Sequence, residues 1–175
     1  IPLGTISSVA WALGVAERAM AEIVEIAAAG RTRMGSAALR EQQVFQAGFG
    51  QHSQALKAAR LLAHETYGST VRAIDRGEAG PDCMERVRDT RAAASYATQV
   101  AKAAVTFAYE ASGSRGLRNP SRLQRCFRDL YVGASHLVFD ERNYACPLYT
   151  SDAADDLTPV TAAAAPPHRK KHMRL

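Results

Sequence analysis

The sequence predicts an all-α domain, folded as an up-and-down bundle of four helices with short connections. Apolar residues recur every three or four positions over long stretches, which is the period of one helix face. No segment alternates apolar and polar residues for long, so we predict no sheet. The 175 residues are 47% hydrophobic, enough for a sizeable core, and much of that fraction is alanine, which favours helices and their close packing.

The first helix is predicted over residues 7–29, with Thr5 or Ser7 as its N-terminal cap and Gly30 just beyond its C-terminus. Its apolar positions are spaced by three and four residues, and they are Val9, Leu13, Ala16, Met20, Ile23 and Ala27. This spacing predicts one helix face packed in the core.

The second and longest helix is predicted over residues 37–76. Its apolar stripe consists of Phe45, Phe49, Leu56, Ala59, Ala63, Tyr67 and Ile74. Gly48, Gly50 and Gly68 interrupt this helix, and each should weaken it by about 1 kcal/mol relative to alanine. His52 falls within the stripe, so we interpret it as a core or interface histidine rather than a catalytic one.

The third helix is predicted over residues 82–111, between a glycine–proline break and a stop at Gly113. Its inward positions are Met84, Val87, Val100, Ala104, Phe107 and Ala111. The fourth helix is predicted over residues 119–144. It starts at an Asn-Pro pair, in which asparagine caps the helix and proline suits its first position.

A change of composition after Cys146 sets the predicted domain boundary. We interpret residues 1–146 as a helical domain and as a fragment of a larger enzyme, because the chain opens on a linker-like Ile-Pro-Leu-Gly instead of methionine. Residues 147–175 lack an amphipathic period, so we predict that they are disordered. Their string YTSDAADD resembles translated sequencing-adapter sequence, and we interpret this tail as non-native.

Charge and cysteine content argue against several classes of function. The net charge is +5, but the basic residues are scattered, whereas a nucleic-acid partner favours a basic face or tail. No apolar run approaches the ~18–20 residues of a membrane span, so we expect no membrane partner. The three cysteines form no Cys-x-x-Cys, and no group has metal-ligand spacing. We therefore expect no disulfide framework, no metal and a cytoplasmic location.

The fourth predicted helix carries two arginines, one carboxylate and a lone histidine between Leu123 and His136. On a helical wheel its core face consists of Leu123, Phe127, Leu130, Ala134 and Leu137. Its opposite face consists of Arg125, Asp129, Val132 and His136, with Arg128 off the edge. Arg125 and Asp129 are spaced i, i+4, so we predict an ion pair between them.

Two interpretations of this polar face stay open on the residues alone. A solvated helix face with one ion pair is the common case. However, Val132 interrupts the polar face, which suggests partial burial against a partner domain or subunit. His136 suits hydrogen bonding to a reactive group near neutral pH, which suggests a site wall instead.

The end of the third helix and the start of the fourth carry two motifs in order. Gly113-x-x-Gly116 is followed nine residues later by Arg125, and then by Arg128-Asp129. This arrangement resembles the C-terminal helical domain of acyl-CoA dehydrogenases, which carries Gly-Gly-x-Gly and then Arg-x-x-Arg-Asp at this spacing.

A third motif lies upstream in the loop before the second helix. The string RTRMG at residues 31–35, followed by Phe45 and a glutamine, resembles the family's Arg-x-x-Phe-Gly and Phe-Gln segments. The resemblance covers residues 1–146. It implies a four-helix bundle that forms a homotetramer and closes over a flavin, FMN or FAD, held mainly by N-terminal domains outside this chain.

The resemblance also implies where this domain meets the flavin. Arg31, Arg33 and the loop containing Gly113, Ser114 and Gly116 would contact flavin phosphates or adenine across a subunit interface. A glycine loop beside a helix end, together with arginine, is physically suited to an anion. For the two arginines, ordinary solvation of the loop is an equal alternative.

The arginine motif supplies two further cofactor-binding candidates, Arg125 and Arg128. The sequence leaves open whether Arg128 serves packing, substrate or flavin. We interpret Asp129 as an orienting partner of Arg125 rather than as an acid catalyst.

Departures from the dehydrogenase pattern point to another activity. In many acyl-CoA dehydrogenases the catalytic base is a glutamate eight residues after the motif's aspartate, and Leu137 stands at that position here. Leucine cannot abstract a proton, and Glu141 lies one helical turn further along. Ser114 replaces the second glycine of the loop motif, and Met34 replaces the aromatic residue of the upstream motif.

The oxygenase components of two-component flavin monooxygenases share this fold and resemble the chain better. They carry a histidine seven residues after the aspartate or asparagine of the arginine motif, which is the position of His136. The resemblance implies that His136 lies near the flavin as the catalytic residue and supports its oxygenated form. A hydrogen-bond donor and a water-poor pocket are what such a site needs to avoid releasing hydrogen peroxide.

Three functions follow for the protein that carries this domain. The first is monooxygenation of an aromatic or similar hydrophobic small molecule, with reduced flavin supplied by a flavin reductase. The second is oxidation of an acyl-CoA thioester by an acyl-CoA dehydrogenase, with an electron-transfer flavoprotein as partner. The third is a helical assembly module without a site of its own.

Overall fold

The computed structural model describes residues 2–30, 37–78, 81–118 and 121–144. The predictions for Arg31, Arg33, the Asn-Pro helix start and the tail at 147–175 lie outside these residues. The described residues contain four α-helices and no strand: α1 (Ile6–Ala28), α2 (Gln43–Asp75), α3 (Pro81–Ser112) and α4 (Arg122–Gly133). The predicted all-α helical bundle is confirmed.

The first helix follows its sequence pattern closely. Its six predicted inward positions are all buried, with at most 6% of each side chain exposed. Gly30 adopts a φ of 65°, the left-handed conformation that ends a helix and that glycine tolerates best. The face of α1 is therefore set by the local period of its apolar residues.

The third helix lies at the centre of the bundle and packs against each of the other three. Its buried positions are mostly alanines, and those with no exposed surface are Ala94, Ala97, Ala101, Ala104 and Ala108. Alanine has no atoms beyond Cβ, so neighbouring helices can approach this face closely. The sequence prediction placed only Ala104 of these on the inward face.

The second helix begins later than predicted, at Gln43 instead of residue 37. Residues 39–41 form a 3₁₀ turn, and Gln42 is extended with a ψ of 118°. The Gln42 side chain donates to the Ala37 carbonyl at 3.0 Å, and that of Gln46 donates to the Arg40 carbonyl at 2.8 Å. These side-chain bonds satisfy carbonyls that a longer helix would otherwise have paired.

The stripe of α2 is partly as predicted. Leu56, Ala59, Ala63 and Tyr67 are buried, and the aromatic residues at the start are half-buried. Ile74 is 46% exposed, so its predicted place in the stripe is wrong. It lies in the last turn of α2, where the neighbouring Ala73 is the residue that is buried.

The fourth helix is much shorter than predicted and runs only from Arg122 to Gly133. Ser121 caps its start, since its hydroxyl accepts from the Gln124 amide at 3.3 Å. Beyond its end the Ser135 hydroxyl donates to the Tyr131 carbonyl at 3.1 Å. Local side-chain bonds of this kind compete with continued helix.

The early end of α4 reverses the predicted faces of the residues that follow. Leu137 was predicted to be in the core and is 71% exposed, while Phe139 is buried in its place. The chain is extended at His136, with a ψ of 142°, and forms a 3₁₀ turn over Leu137–Phe139. Val132 is also 71% exposed, so its predicted partial burial does not occur within the described residues.

At two glycines, an aromatic ring of a neighbouring helix packs directly against the backbone. A β-carbon built on Gly133, the last residue of α4, would overlap the ring of Trp11 on α1. A β-carbon on Gly48 of α2 would lie 2.5 Å from a ring carbon of Phe107 on α3. The Phe107 ring has little room to move, because Phe45 stacks on it and the His52 ring packs against it at a tilt, with centroids at 5.8 and 4.9 Å.

Gly48→Ala should therefore destabilise the domain, although alanine is the better helix former. Overpacking of this kind costs about 1–3 kcal/mol, which exceeds the gain in helix propensity of about 1 kcal/mol. Gly50→Ala is the matched control two residues away, because nothing lies within 4 Å of its added β-carbon. Urea denaturation should show a lower midpoint for Gly48→Ala and an equal or higher one for Gly50→Ala. Equal midpoints for both would contradict the close packing on Phe107.

Candidate functional site

A groove of about 420 Å³ lies between the middle of α3 and the segment that follows α4. Its polar lining comes from Gln99 and Lys102 on one side, and from His136 and Glu141 on the other. His136 is the predicted site residue that the structure places in a concave surface, so we take this groove as the candidate site.

The imidazole of His136 is held in one orientation by its own backbone. Its Nδ1 accepts a hydrogen bond from the Val138 amide at 3.2 Å. A neutral imidazole that accepts at Nδ1 carries its proton on Nε2. The exposed side chain therefore presents an N–H donor at Nε2.

The Gln99 side chain on α3 binds the far end of the segment that follows α4. The Gln99 amide nitrogen donates to a carboxylate oxygen of Glu141 at 3.3 Å, and the Tyr144 hydroxyl donates to the Gln99 amide oxygen at 3.1 Å. Burial raises the pKa of the Tyr144 hydroxyl, with the nearby Glu141 carboxylate adding to the effect, so this group is a donor at neutral pH.

A ladder of aromatic rings runs along the seam between α3 and α4 towards the groove. Tyr109 stacks on Phe127 at 4.4 Å, and Phe127 stacks on Tyr131 at 4.5 Å, measured between ring centroids. The Lys102 ammonium lies 4.9 Å from the centroid of Tyr131, and the Tyr131 hydroxyl bonds to Thr106 at 2.8 Å. The ladder fixes α4 against α3 and keeps a cation at the mouth of the groove.

A charged pair closes the other edge of the groove. The Arg142 side chain donates two hydrogen bonds to the Asp140 carboxylate, at 2.9 and 2.6 Å. These bonds, with one from the Arg142 amide, hold the pKa of Asp140 at about 2, below its usual 3.8. Asp140 is therefore an ionised, paired carboxylate at neutral pH and is unsuited to act as a general base.

The predicted glycine loop forms a separate feature at the C-terminal end of α3. Gly113 has a φ of 59°, and a β-carbon on the buried Gly116 would overlap the Ser112 hydroxyl. Arg115 ties the loop to α1 by donating to the Ile26 carbonyl at 3.1 Å. Both glycines are thus explained by folding alone, and Ser114 is the exposed predicted contact in this loop.

The structure does not bring the glycine loop and His136 together. Gln99 of the groove and Gly113 of the loop lie roughly 20 Å apart along α3, at 1.5 Å per residue. The predicted contacts of the glycine loop and the catalytic His136 therefore belong to two places on this chain.

The two predicted cofactor-binding arginines of α4, Arg125 and Arg128, are exposed, and their pairing differs from the prediction. Asp129 bonds to its neighbour Arg128, whose Nε and Nη2 lie 3.2 and 3.1 Å from one carboxylate oxygen. The predicted Arg125–Asp129 pair is not formed, and Asp129 pairs with Arg128 instead. Arg125 makes no ion pair within the described ranges.

Sequence reasoning missed Gln99 and Lys102, which form the α3 side of the groove. A signal for them exists, since Thr98, Lys102 and Thr106 recur at i, i+4 on a helix that is otherwise rich in alanine. This spacing indicates one wall of a groove only when α4 is also known to end opposite these positions.

A second and larger groove, of about 620 Å³, lies between α1 and α2. Apolar side chains such as Ile6, Leu13 and Val71 line it, and Arg60 and Arg72 stand at its rim. Both arginines are paired with glutamates. None of the predicted site residues within the described ranges lines this groove.

His52, which the sequence assigns to the core, is half-buried against Phe107 and far from His136 in the chain. Burial lowers its pKa below the usual value, which fits a neutral packing histidine. Among the described residues, no cluster of histidine, cysteine or carboxylate side chains is arranged to hold a metal ion. No described helix is long and apolar enough to cross a bilayer.

Comparisons with known sequences and structures give one family match and several solved structures with a similar fold. The sequence profile of the family described as Acyl-CoA dehydrogenase, C-terminal domain, matches residues 6–141. No curated protein matches the sequence significantly. Among solved structures, the HsaA monooxygenase from M. tuberculosis superposes with a TM-score of 0.72 at 23% identity, covering 85% of this chain and 38% of that one.

Two further structures share the fold. The 3-HSA hydroxylase from Rhodococcus sp. RHA1 has a TM-score of 0.72 at 23% identity, covering 85% of this chain and 37% of that one. XiaF from Streptomyces sp., solved with FADH2 and glycerol, has a TM-score of 0.74 at 19% identity, covering 83% and 37%. The chain thus spans less than two-fifths of the length of these proteins.

The Asp140–Arg142 pair gives a prediction that concerns pH. The folded-state pKa of Asp140 is depressed, so the pair's contribution to stability is present above pH 3.8 and is lost as the pH falls towards about 2. Arg142→Gln should raise the pKa of Asp140 towards 3.8, as followed by carboxyl carbon NMR. Arg128→Gln is the control and should leave that titration unchanged. An Asp140 midpoint that stays near 2 in Arg142→Gln would refute this cause.

Proposed function

Because the chain belongs to the acyl-CoA dehydrogenase C-terminal domain family, we propose that residues 1–146 are the C-terminal domain of a larger flavin-dependent monooxygenase. Its substrate is an aromatic or similar hydrophobic small molecule. The observation that carries this proposal is the pair of residues at the end of α4: His136 offers an Nε2–H donor in the groove, and Leu137 stands where many dehydrogenases carry their base.

Reduced flavin supplies the chemistry of this reaction: it gives two electrons, so that one oxygen atom of O₂ enters a substrate C–H bond and the other leaves as water. His136 would donate a hydrogen bond from Nε2 to the reacting oxygen. Its orientation needs no ligand, because the Val138 amide already fixes Nδ1. Without that donor, most of the O₂ would be reduced to hydrogen peroxide and little product would form.

A water-poor site needs a cover over His136, which the described residues of this chain leave exposed. His136 is exposed, and its neighbours Val132 and Leu137 each expose 71% of their surface. Apolar side chains flanking a polar group favour burial against a further domain or subunit. This observation supports a homotetramer in which His136 becomes a wall of a closed pocket.

The proposed cofactor-binding residues within the described ranges lie on α4 and in the glycine loop after α3. Arg125 and Arg128 are exposed on α4, and Ser114 is exposed in the glycine loop. With Arg31 and Arg33, they would serve flavin phosphates, as FMN or FAD. The separation of roughly 20 Å from the groove supports a loop that meets the flavin of a neighbouring subunit. The flavin would come from a separate reductase, and cytoplasmic location is part of the same proposal.

Acyl-CoA dehydrogenase activity is the second candidate, with an electron-transfer flavoprotein as partner. The observation in its favour is Glu141, a carboxylate that lines the groove with His136. Against it, Gln99 donates to that carboxylate, and the exposed Leu137 has no proton-accepting atom. An acyl-CoA that reduces the flavin of the full-length protein would establish this candidate instead.

His136→Ala in the full-length flavoprotein should lower product formation by about 10²-fold, the usual effect of losing a positioned proton donor. Most of the oxygen consumed should then leave as hydrogen peroxide. The assay measures product, oxygen and peroxide after reduced flavin is supplied. His64→Ala, an exposed histidine on α2, is the control and should keep the wild-type ratio. A wild-type peroxide yield in His136→Ala would contradict the proposed role.

The 175-residue chain alone should show no turnover of any substrate when supplied with reduced flavin and oxygen. The described residues leave the groove open, and a site exposed to water would lose the oxygenated flavin as peroxide. Product analysis by mass spectrometry, with free flavin as the blank, is the measurement. Turnover above that blank by the chain alone would contradict the need for a covering domain.

A further inference from the structure

We infer that Ser95 and Asn143 are positioning residues that fix the imidazole of His136. This inference rests on the proposed function for what His136 does, but not for how it is held. Ser95 lies on α3 and Asn143 lies beyond the 3₁₀ turn, so neither residue is part of the motifs that the sequence pattern singles out.

The centre of this arrangement is the Ser95 hydroxyl, which has no exposed surface. It donates to the Asp140 carbonyl at 3.0 Å and accepts from the Asn143 side-chain amide at 3.0 Å. The same amide nitrogen donates to the Val138 carbonyl at 2.9 Å. The buried hydroxyl thus binds two residues after Phe139, and Asn143 extends the network to Val138 before it.

Val138 links this network to the histidine. Its carbonyl accepts from Asn143, and its amide donates to Nδ1 of His136. The bonds therefore run from Ser95 through Asn143 and Val138 to the imidazole. The buried Phe139 ring anchors the same turn in the core. Together these contacts determine which imidazole nitrogen is left to donate into the groove.

Other buried hydroxyls of α3 have a different role. Thr90 donates to the Arg86 and Val87 carbonyls of its own helix, and Thr98 donates to Ala94. Ser95 instead bonds to residues 45 and 48 positions further along the chain. Losing its hydroxyl would leave the Asp140 carbonyl and the Asn143 amide each short of one partner.

The test reads the imidazole directly, in the 175-residue chain labelled with ¹⁵N at its five histidines. Long-range ¹H–¹⁵N spectra report which nitrogen of each neutral ring carries the proton. Wild-type His136 should be protonated at Nε2. In Ser95→Ala the ratio of the Nε2–H to the Nδ1–H form should fall about fivefold, as when one net hydrogen bond is lost. The exposed His64 serves as the internal reference for an unconstrained ring.

Two further variants keep the inference falsifiable. Asn143→Leu, at a half-buried position of similar size, should give the same change if Ser95→Ala fails to fold. Thr90→Val removes an equally buried hydroxyl without touching the segment and should leave His136 unchanged. An unchanged His136 spectrum in both network variants, or the same change in Thr90→Val, would overturn the inference.

The spectra need no flavin, so they separate this inference from the proposed function. In the full-length protein, Ser95→Ala should release more hydrogen peroxide than Thr90→Val, as His136→Ala does. A shifted tautomer without extra peroxide would uphold the positioning role and count against the monooxygenase proposal. Extra peroxide with an unchanged tautomer would overturn the positioning role.

Discussion

Close packing against the alanine face of α3 is the constraint on which the rest of the structure depends. The other three helices meet at this face, and the alanines that form it have no exposed surface. Any larger side chain there would push a neighbour outward, because packed interiors have little free volume. The same packing turns the polar side of α3 towards the end of α4, where Gln99 and Lys102 become one wall of the groove.

The early end of α4 converts a helix face into a site. A continued helix would have placed Leu137 in the core and His136 on the solvated side. Instead the chain turns, Phe139 enters the core, and His136 is left at the edge of a groove with its Nδ1 occupied. Burial of one aromatic ring and satisfaction of the buried Ser95 hydroxyl both favour the turn. The free energy that shapes the site therefore comes from packing on α3, outside the arginine motif.

The domain exposes side chains that would suit contact with another domain or subunit. Val132 and Leu137 expose apolar surface beside the one histidine donor of the groove, and the exposed Ser114 lies at the far end of α3. Exposed apolar side chains around a polar group are typical of surfaces that another domain or subunit covers. A helical assembly module and a flavin-closing domain both need such surfaces. The orientation of His136 favours the second, because a mere assembly surface has no need of a fixed imidazole.

The sequence by itself determined the helical class, the buried face of α1 and the left-handed stop at Gly30. These depend on local periodicity and on the backbone freedom of one residue, both of which can be read within a short window. It also singled out His136, through a resemblance in motif spacing. Only the tertiary structure decided where α4 ends, because Phe139 and Ser95 stabilise the turn through contacts more than forty residues apart in the chain. The face of Leu137 and the groove wall of α3 follow from such contacts, which no periodic pattern encodes.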